Sequence, residues 1–262
     1  MQPFLCRGEN VSDPTKRFSD RVADYVRYRP RYPQDVIRLL EESCGLGGGS
    51  VVADVGSGTG ILSEMFLGLG YRVFGVEPNR EMRAAGERRL GRHPRFVSVD
   101  GRAEATTLPD ACADLVTAGQ AFHWFDRPRT RAEFARILRP GGWVALLWNK
   151  RRKTGTPLAE AYERLLLDYA VDYRTVDHEN VTDDVVAEFF RPSRVELRSF
   201  ENHRTLDYET LEGYARSASY VPARGQPGFE PMFAGLRALF DRLAIAGTVI
   251  LEVDTLAYFG RL

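Results

Sequence analysis

In four stretches of this chain, polar and ionisable residues directly follow apolar runs. The first is VVADVGSGTG, residues 51–60, in which a β-branched run carries Asp54 and opens into Gly56, Ser57, Gly58 and Gly60. Glycines at such a turn let the backbone bend sharply and let a ligand approach the main chain, and the N-terminal N–H groups of a following helix offer donors to an anionic group. A dinucleotide site would use the spacing GxGxxG, whereas this loop reads GxGxG. An acid two residues before the first glycine would also repel a diphosphate. Asp54 suits a ligand bearing an ammonium or sulfonium. The second stretch, VFGVEPN, leaves Glu77 at a tip where a carboxylate can accept from ribose hydroxyls. The third, after RFVSV, is Asp100-Gly101-Arg102-Ala103-Glu104. The fourth, after DLVTAG, runs Gln120-Ala121-Phe122-His123-Trp124-Phe125-Asp126. His123 is a candidate general base, and equally a hydrogen-bonded imidazole packed beside Trp124 and Phe125.

For these four tips to meet, the apolar runs must be neighbouring parallel strands. Residues 51–55 and 73–76 are apolar without clean alternation, as in strands covered by helices on both faces. Amphipathic segments separate them, and the rhythm continues through RPRTRAEFARILRPGG, read as a helix closed by glycine, to a fifth strand WVALLWN. This predicts a doubly wound α/β sheet with its ligand crevice at the carboxyl ends of the strands. Before it, residues 18–26 and 34–44 read as helices separated by an extended break at Pro30 and Pro33, and the first ~15 residues read as a loose arm. After Asn149 helices are expected over 157–173, 181–190, 209–217 and 230–246, with strands over 195–200 and 248–259. The helical part between those strands would form a lid. The charge run Lys150-Arg151-Arg152-Lys153 reads as a solvated loop, and Tyr214, Tyr220 and His203 read as lid core.

Composition narrows the classes of function. The chain has 262 residues, 44% hydrophobic and 27% charged, with 36 basic and 36 acidic residues. That balance excludes a global field steering it to nucleic acid or anionic lipid. Cys6, Cys44 and Cys112 are an odd set without a CxxC pattern, so neither a disulfide framework nor a zinc site is expected. With no run approaching ~18 apolar residues and no signal-peptide stretch, a cytoplasmic protein without a membrane partner is expected.

Taken together, ADVGSGTG, GVEPN, GRAEATTLP, QAFHWFD and LRPGGWVALL resemble the class I S-adenosylmethionine-dependent methyltransferases. The likeness is to the type 11-like, small-molecule branch typified by trans-aconitate methyltransferase, and it covers roughly residues 18–149. It implies a mostly parallel seven-stranded sheet with N-terminal helices and a helical lid before the last strand. It also implies an arm and cap at 1–33, a cofactor-binding core at 34–149 and a lid-bearing part at 150–262. Carried onto this chain, it places the methionine end of S-adenosylmethionine at Asp54, Gly56, Ser57, Gly58, Gly60 and Gln120. Glu77 and Pro78 fall at the ribose, and Ala103 and Glu104 at the adenine. Tyr25 and Arg29, with Tyr28, come from the segment that closes over the cofactor. Many relatives carry Asp where this chain has Arg102, which has no acceptor to offer the adenine amino group.

The resemblance further implies methyl transfer to a small acceptor, an organic acid among the candidates, leaving S-adenosylhomocysteine. Three alternatives stay open. A nucleic-acid or protein methyltransferase lacks support from any aromatic-basic interleaving or from the Asn/Asp-Pro-Pro-Tyr/Phe tetrapeptide. A cofactor-binding regulator would bind without turnover. A nicotinamide-dependent dehydrogenase is disfavoured by Asp54 and the glycine spacing.

Overall fold

Strand β1 (Val51–Val55) is buried at every position because the chain packs helices on both of its faces. In the computed structural model, which describes residues 21–176 and 181–262, it lies in the middle of a seven-stranded sheet. To one side stand β2 (Arg72–Val76) and β3 (Phe96–Val99). To the other stand β4 (Ala113–Gly119), β5 (Leu138–Arg151), β9 (Val253–Gly260) and β6 (Val195–Glu201), giving the order β3-β2-β1-β4-β5-β9-β6. The first five are parallel, and β9 runs antiparallel to both its neighbours. The order reverses direction between β1 and β4, the switch point at which open α/β sheets leave a crevice.

One face is covered by α2 (Gln34–Cys44) and α3 (Ile61–Gly68), which bury Ile37, Leu40, Leu62 and Phe66 against the strands. The other is covered by α5 (Arg127–Ile137) and α8 (Asp183–Phe190), through Phe134, Ile137, Phe189 and Phe190. Helix α4 (Arg80–Leu90), capped by the Asn79 side chain, links β2 to β3. A separate core lies under the additions: α6 (Pro157–Tyr169), α9 (Tyr208–Arg216) and α10 (Phe229–Leu243) enclose Tyr162, Leu166, Leu211, Met232 and Leu236. Of these, α9 and α10 are the helices expected between the late strands, and they precede the last strand, β9. The short helix α1 (Val22–Tyr28) packs on α9, and Arg21 donates to the carbonyls of Arg216, Ala218 and Val221. Phe18, Cys6 and the whole of the expected loose arm lie outside the described residues. Among the described residues no helix is long and apolar enough to cross a membrane.

Several boundaries differ from the sequence reading, among them the end of α10 at Leu243 rather than Ala246. Helix α5 stops at Ile137, and LRPGG belongs to the strand, because Leu138 already pairs with Ala113 and the register slips before Leu115. The expected strand over 248–259 divides at Glu252: β8 (Val249–Leu251) pairs with β7 (Arg204–Leu206) in a separate ribbon, while β9 joins the main sheet. The expected helix 157–173 ends at Tyr169, and Tyr173 opens the short α7 (Tyr173–Val176). Finally, Lys150 and Arg151 extend β5 rather than forming a loop.

The tip after β4 is held by Phe122, fully buried, whose ring meets Phe189 at 4.8 Å and Phe125 and Trp148 at 6.1 Å. Removing a buried aromatic ring of this kind costs about 3–5 kcal/mol. Urea denaturation is therefore expected to show Phe122→Ala less stable by roughly that amount, with Phe122→Leu much closer to wild type.

Candidate active site

The loop between β1 and α3 hangs from the end of β2: the amides of Gly56 and Ser57 both donate to the Val76 carbonyl, at 2.8 and 3.1 Å. Gly56 (φ 69°) and Gly58 (φ 56°) adopt the left-handed conformation, and a Cβ on Gly56 would lie 2.6 Å from Ala121 Cβ. A side chain there would push away the fourth tip. Gly60, read as a cofactor contact, instead faces Leu90, whose Cδ1 a Cβ would meet at 2.5 Å; it lines none of the site cavities.

Asp54 is 1% exposed and accepts from Ser63 Oγ (2.6 Å) and Thr117 Oγ1 (3.1 Å). Burial pushes its carboxyl up to about 6, and the two hydroxyl hydrogen bonds only partly oppose that rise. Glu77, 8% exposed, accepts from Gly58 N–H at one oxygen and Asn79 N–H at the other, both at 2.8 Å. Its carboxyl is also raised by burial, held back by those two amides and by Arg83. Each Glu77 oxygen keeps a further lone pair for an incoming hydroxyl.

Three spaces that share lining residues lie at the strand tips. A cleft of about 500 Å³, in the range of small-molecule sites, is lined by Glu77, Pro78, Ala103, Glu104, Trp124 and Phe125 with the glycine loop. A niche of about 30 Å³ holds Asp54, Ser57, Thr59 and Arg29. A chamber of about 70 Å³ holds His123, Arg151, Lys153, Tyr214 and Tyr220. Tyr25 and Gln120 line all three. The expected site residues are therefore brought together apart from Gly60, and His123 stands in the chamber rather than the cleft. Tyr28 is withdrawn: buried against Gly213, it hydrogen-bonds Glu209 at 3.2 Å. His203 Nδ1 contacts the Val253 backbone and takes no part in these spaces. Glu104 accepts from the Asp126 amide at 2.8 Å, which leaves one of its oxygens uncommitted beside the exposed Arg102.

Gln120 sits at the hub with φ 56°, an uncommon conformation for a residue with a side chain, typical of functional positions. Its amide N–H donates to Leu147 O (2.8 Å) and its Nε2 to Asn149 O (2.9 Å). Asn149 in turn donates to the Pro30 carbonyl and accepts from Thr255 Oγ1 (2.6 Å), tying the N-terminal break to β5 and β9. Sequence reasoning missed Asn149. It is the polar residue ending an apolar run at the fifth strand tip, the same signal that marked the other four.

A sheet in this order, with a glycine loop and two buried acids at its switch point, defines the Rossmann-like architecture of class I methyltransferases. Residues 53–146 match the methyltransferase-domain family. An uncharacterized methyltransferase of Mycobacterium tuberculosis is 37% identical over 139 residues, 53% of this chain and 54% of that protein. One from Schizosaccharomyces pombe is 31% identical over 155 residues, 58% and 59% of the two chains. The matches thus span little more than half the length of these curated relatives. A solved structure of a putative type II methyltransferase from Anaeromyxobacter dehalogenans superposes with a TM-score of 0.67 at 26% identity, covering 89% of this chain and 98% of its own.

The Asp54 carboxyl makes stability depend on pH. A rise from the usual 3.8 to about 6 means that the folded state binds the proton more tightly, so stability is greatest below about pH 4 and is lost as pH rises through 6. The difference corresponds to about 3 kcal/mol. Denaturant titrations at pH 4 and pH 7 are expected to show wild type gaining about that much over Asp54→Asn at the lower pH.

Proposed function

We propose that the protein transfers the methyl group of S-adenosylmethionine to an oxygen of a small-molecule acceptor. The observation that carries this reading is the junction at Tyr25 and Gln120, where a cleft and niche bearing two buried acids meet a separate chamber bearing His123. Asp54 supplies the negative charge for the cationic amino-acid end of the cofactor, and Arg29 in the same niche supplies the positive charge for its carboxylate. Thr59 Oγ1, buried there without a hydrogen-bond partner, is a further polar group that a ligand would satisfy. Glu77 has lone pairs for the ribose hydroxyls. The tip at Ala103 and Glu104, which with Pro78 lines the cleft, would flank the adenine. On this reading residues 34–149 form the cofactor-binding core, while α1 and the helices that follow Asn149 enclose the acceptor.

Bound in this way, S-adenosylmethionine supplies a methyl group on a sulfonium whose bonding pair stays with sulfur, leaving neutral S-adenosylhomocysteine. The chain's task is to hold the acceptor oxygen in line with that bond and keep water out. Helix α1 and the lid supply the enclosure. A carboxylate acceptor becomes a methyl ester with no proton to lose. A hydroxyl acceptor becomes an ether and loses one proton, which His123, as a lining residue of the chamber, would take.

Calorimetry is expected to register binding of S-adenosylmethionine and none of NADH; the reverse result would overturn the reading. Once an acceptor is found through S-adenosylhomocysteine release, His123→Ala is expected to slow a hydroxyl acceptor by roughly 10²-fold or more. A carboxylate acceptor should slow only a few-fold, so the variant reports which kind of oxygen is methylated.

A further inference from the structure

Helix α9 carries a glycine in its interior, Gly213, where an alanine would make the more stable helix. The reason for it lies in α1. A Cβ at Gly213 would overlap the Tyr28 ring at Cγ, Cδ2 and Cε2, so the ring rests on bare helix backbone. Tyr28 is buried, its hydroxyl donates to Glu209 Oε1 at 3.2 Å, and its carbonyl accepts from Arg204 Nη1 at 2.7 Å. The residue is therefore held at its ring, its hydroxyl and its backbone.

The next residue is Arg29. Its Nη2 donates to the Ser217 carbonyl at 3.1 Å, and its guanidinium lies 5.2 Å from the ring centre of Tyr25 and 5.8 Å from that of Tyr214. Glu209, Gly213 and Ser217 follow one another at intervals of four, which puts them on one stripe of α9. Ser217, the C-cap, keeps that register, because its amide donates to the Gly213 carbonyl at 3.0 Å. Tyr28 and Arg29 are laid along this stripe in order. So placed, Arg29 reaches both the niche beside Asp54 and the chamber, and its Nε is buried without a hydrogen bond among the described residues. A buried guanidinium N–H of that kind is a donor that an anionic group of a ligand would satisfy.

We infer that the stripe Glu209, Gly213 and Ser217 is a rack that sets Arg29 against the carboxylate of the cofactor, so that α9, outside the cofactor-binding core, selects a nucleoside with an intact amino-acid end. Gly213 and Tyr28 are positioning residues: they line none of the three spaces and act through Arg29. A side chain at 213 would lift Tyr28 off α9 and carry Arg29 away from the Ser217 carbonyl. The niche would then lose its guanidinium while Asp54 and Glu77, held by partners elsewhere, stay in place. The identity of the ligand rests on the methyl-transfer reading, whereas the rack is built from this chain's own residues.

The test is calorimetry with S-adenosylhomocysteine and with S-adenosyl-3-thiopropylamine, which lacks only the carboxylate. Wild type is expected to bind the first about tenfold tighter or more, as for loss of a charged hydrogen bond. Gly213→Ala is expected to lose most of that preference, with S-adenosylhomocysteine weakened about tenfold and the amine less than about twofold. Tyr28→Ala is the second variant should Gly213→Ala disturb the fold, and Tyr28→Phe, which keeps the ring on Gly213, is expected to retain the preference. An unchanged preference in Gly213→Ala and Tyr28→Ala, equal weakening of both ligands, or a loss in Tyr28→Phe as large as in Tyr28→Ala would each overturn the inference. So would a wild type that binds both compounds equally. Failure of wild type to bind either would instead remove the cofactor reading. NMR would then decide the rack by itself: the Arg29 Nε–H resonance of the free protein is expected to move in Gly213→Ala, and an unmoved resonance would overturn the inference.

Discussion

The Glu77 carboxylate joins two strand tips through their main chains. By accepting from Gly58 on one side and Asn79 on the other, it fixes the glycine loop after β1 relative to the start of α4, and the Val76 carbonyl completes the clasp by accepting from Gly56 and Ser57. A buried carboxylate is tolerable only with such donors. This arrangement lets two left-handed glycines stand open toward the cleft, and it brings Ala121 close enough that the fourth tip lies against the first. Asp54, also buried, has its carboxyl raised to about 6 by that burial, and a cationic partner would favour its charged form. The site thus begins as a constraint on loop geometry and only then becomes a set of ligand contacts.

Much of this was legible because local signals and tertiary partners agreed. Helix α2 matches its expected span, Gln34–Cys44, since Pro33 precedes it and Gly45 closes it in a left-handed conformation (φ 65°). The parallel strands at the centre were marked by unbroken apolar runs, and four of the polar tips by the residues that followed them. The misreadings fall where the deciding partner is distant in sequence. Nothing near Leu138 announces that it will pair with Ala113, and nothing at Glu252 announces that the strand will change partners there.

Side-chain roles followed the same rule. Gly60 carries the spacing of a ligand contact but answers to Leu90, thirty residues away in the chain. The composition of Lys150–Lys153 suggests a solvated loop, whereas β5 continues through Arg151, which is buried and paired with Glu163, and Arg152 pairs with Asp254. Asn149 ends an apolar run, yet its backbone carbonyl holds Gln120 while its side-chain amide holds Pro30 and Thr255. Each case turned on a partner distant in the chain, which charge and spacing alone do not encode.

Helix α1 is stitched to the lid through Arg21 and Arg29, and both contribute walls to the chamber, whereas the residues of the cleft come chiefly from the middle of the chain. Divergence in this architecture is accordingly partitioned. The central stretch can be inherited almost unchanged while a lineage explores new chemistry, but the leading segment and the segment after residue 200 form one wall and must drift in concert, since a change to either alone leaves unmatched carbonyls or an unmatched guanidinium at the seam.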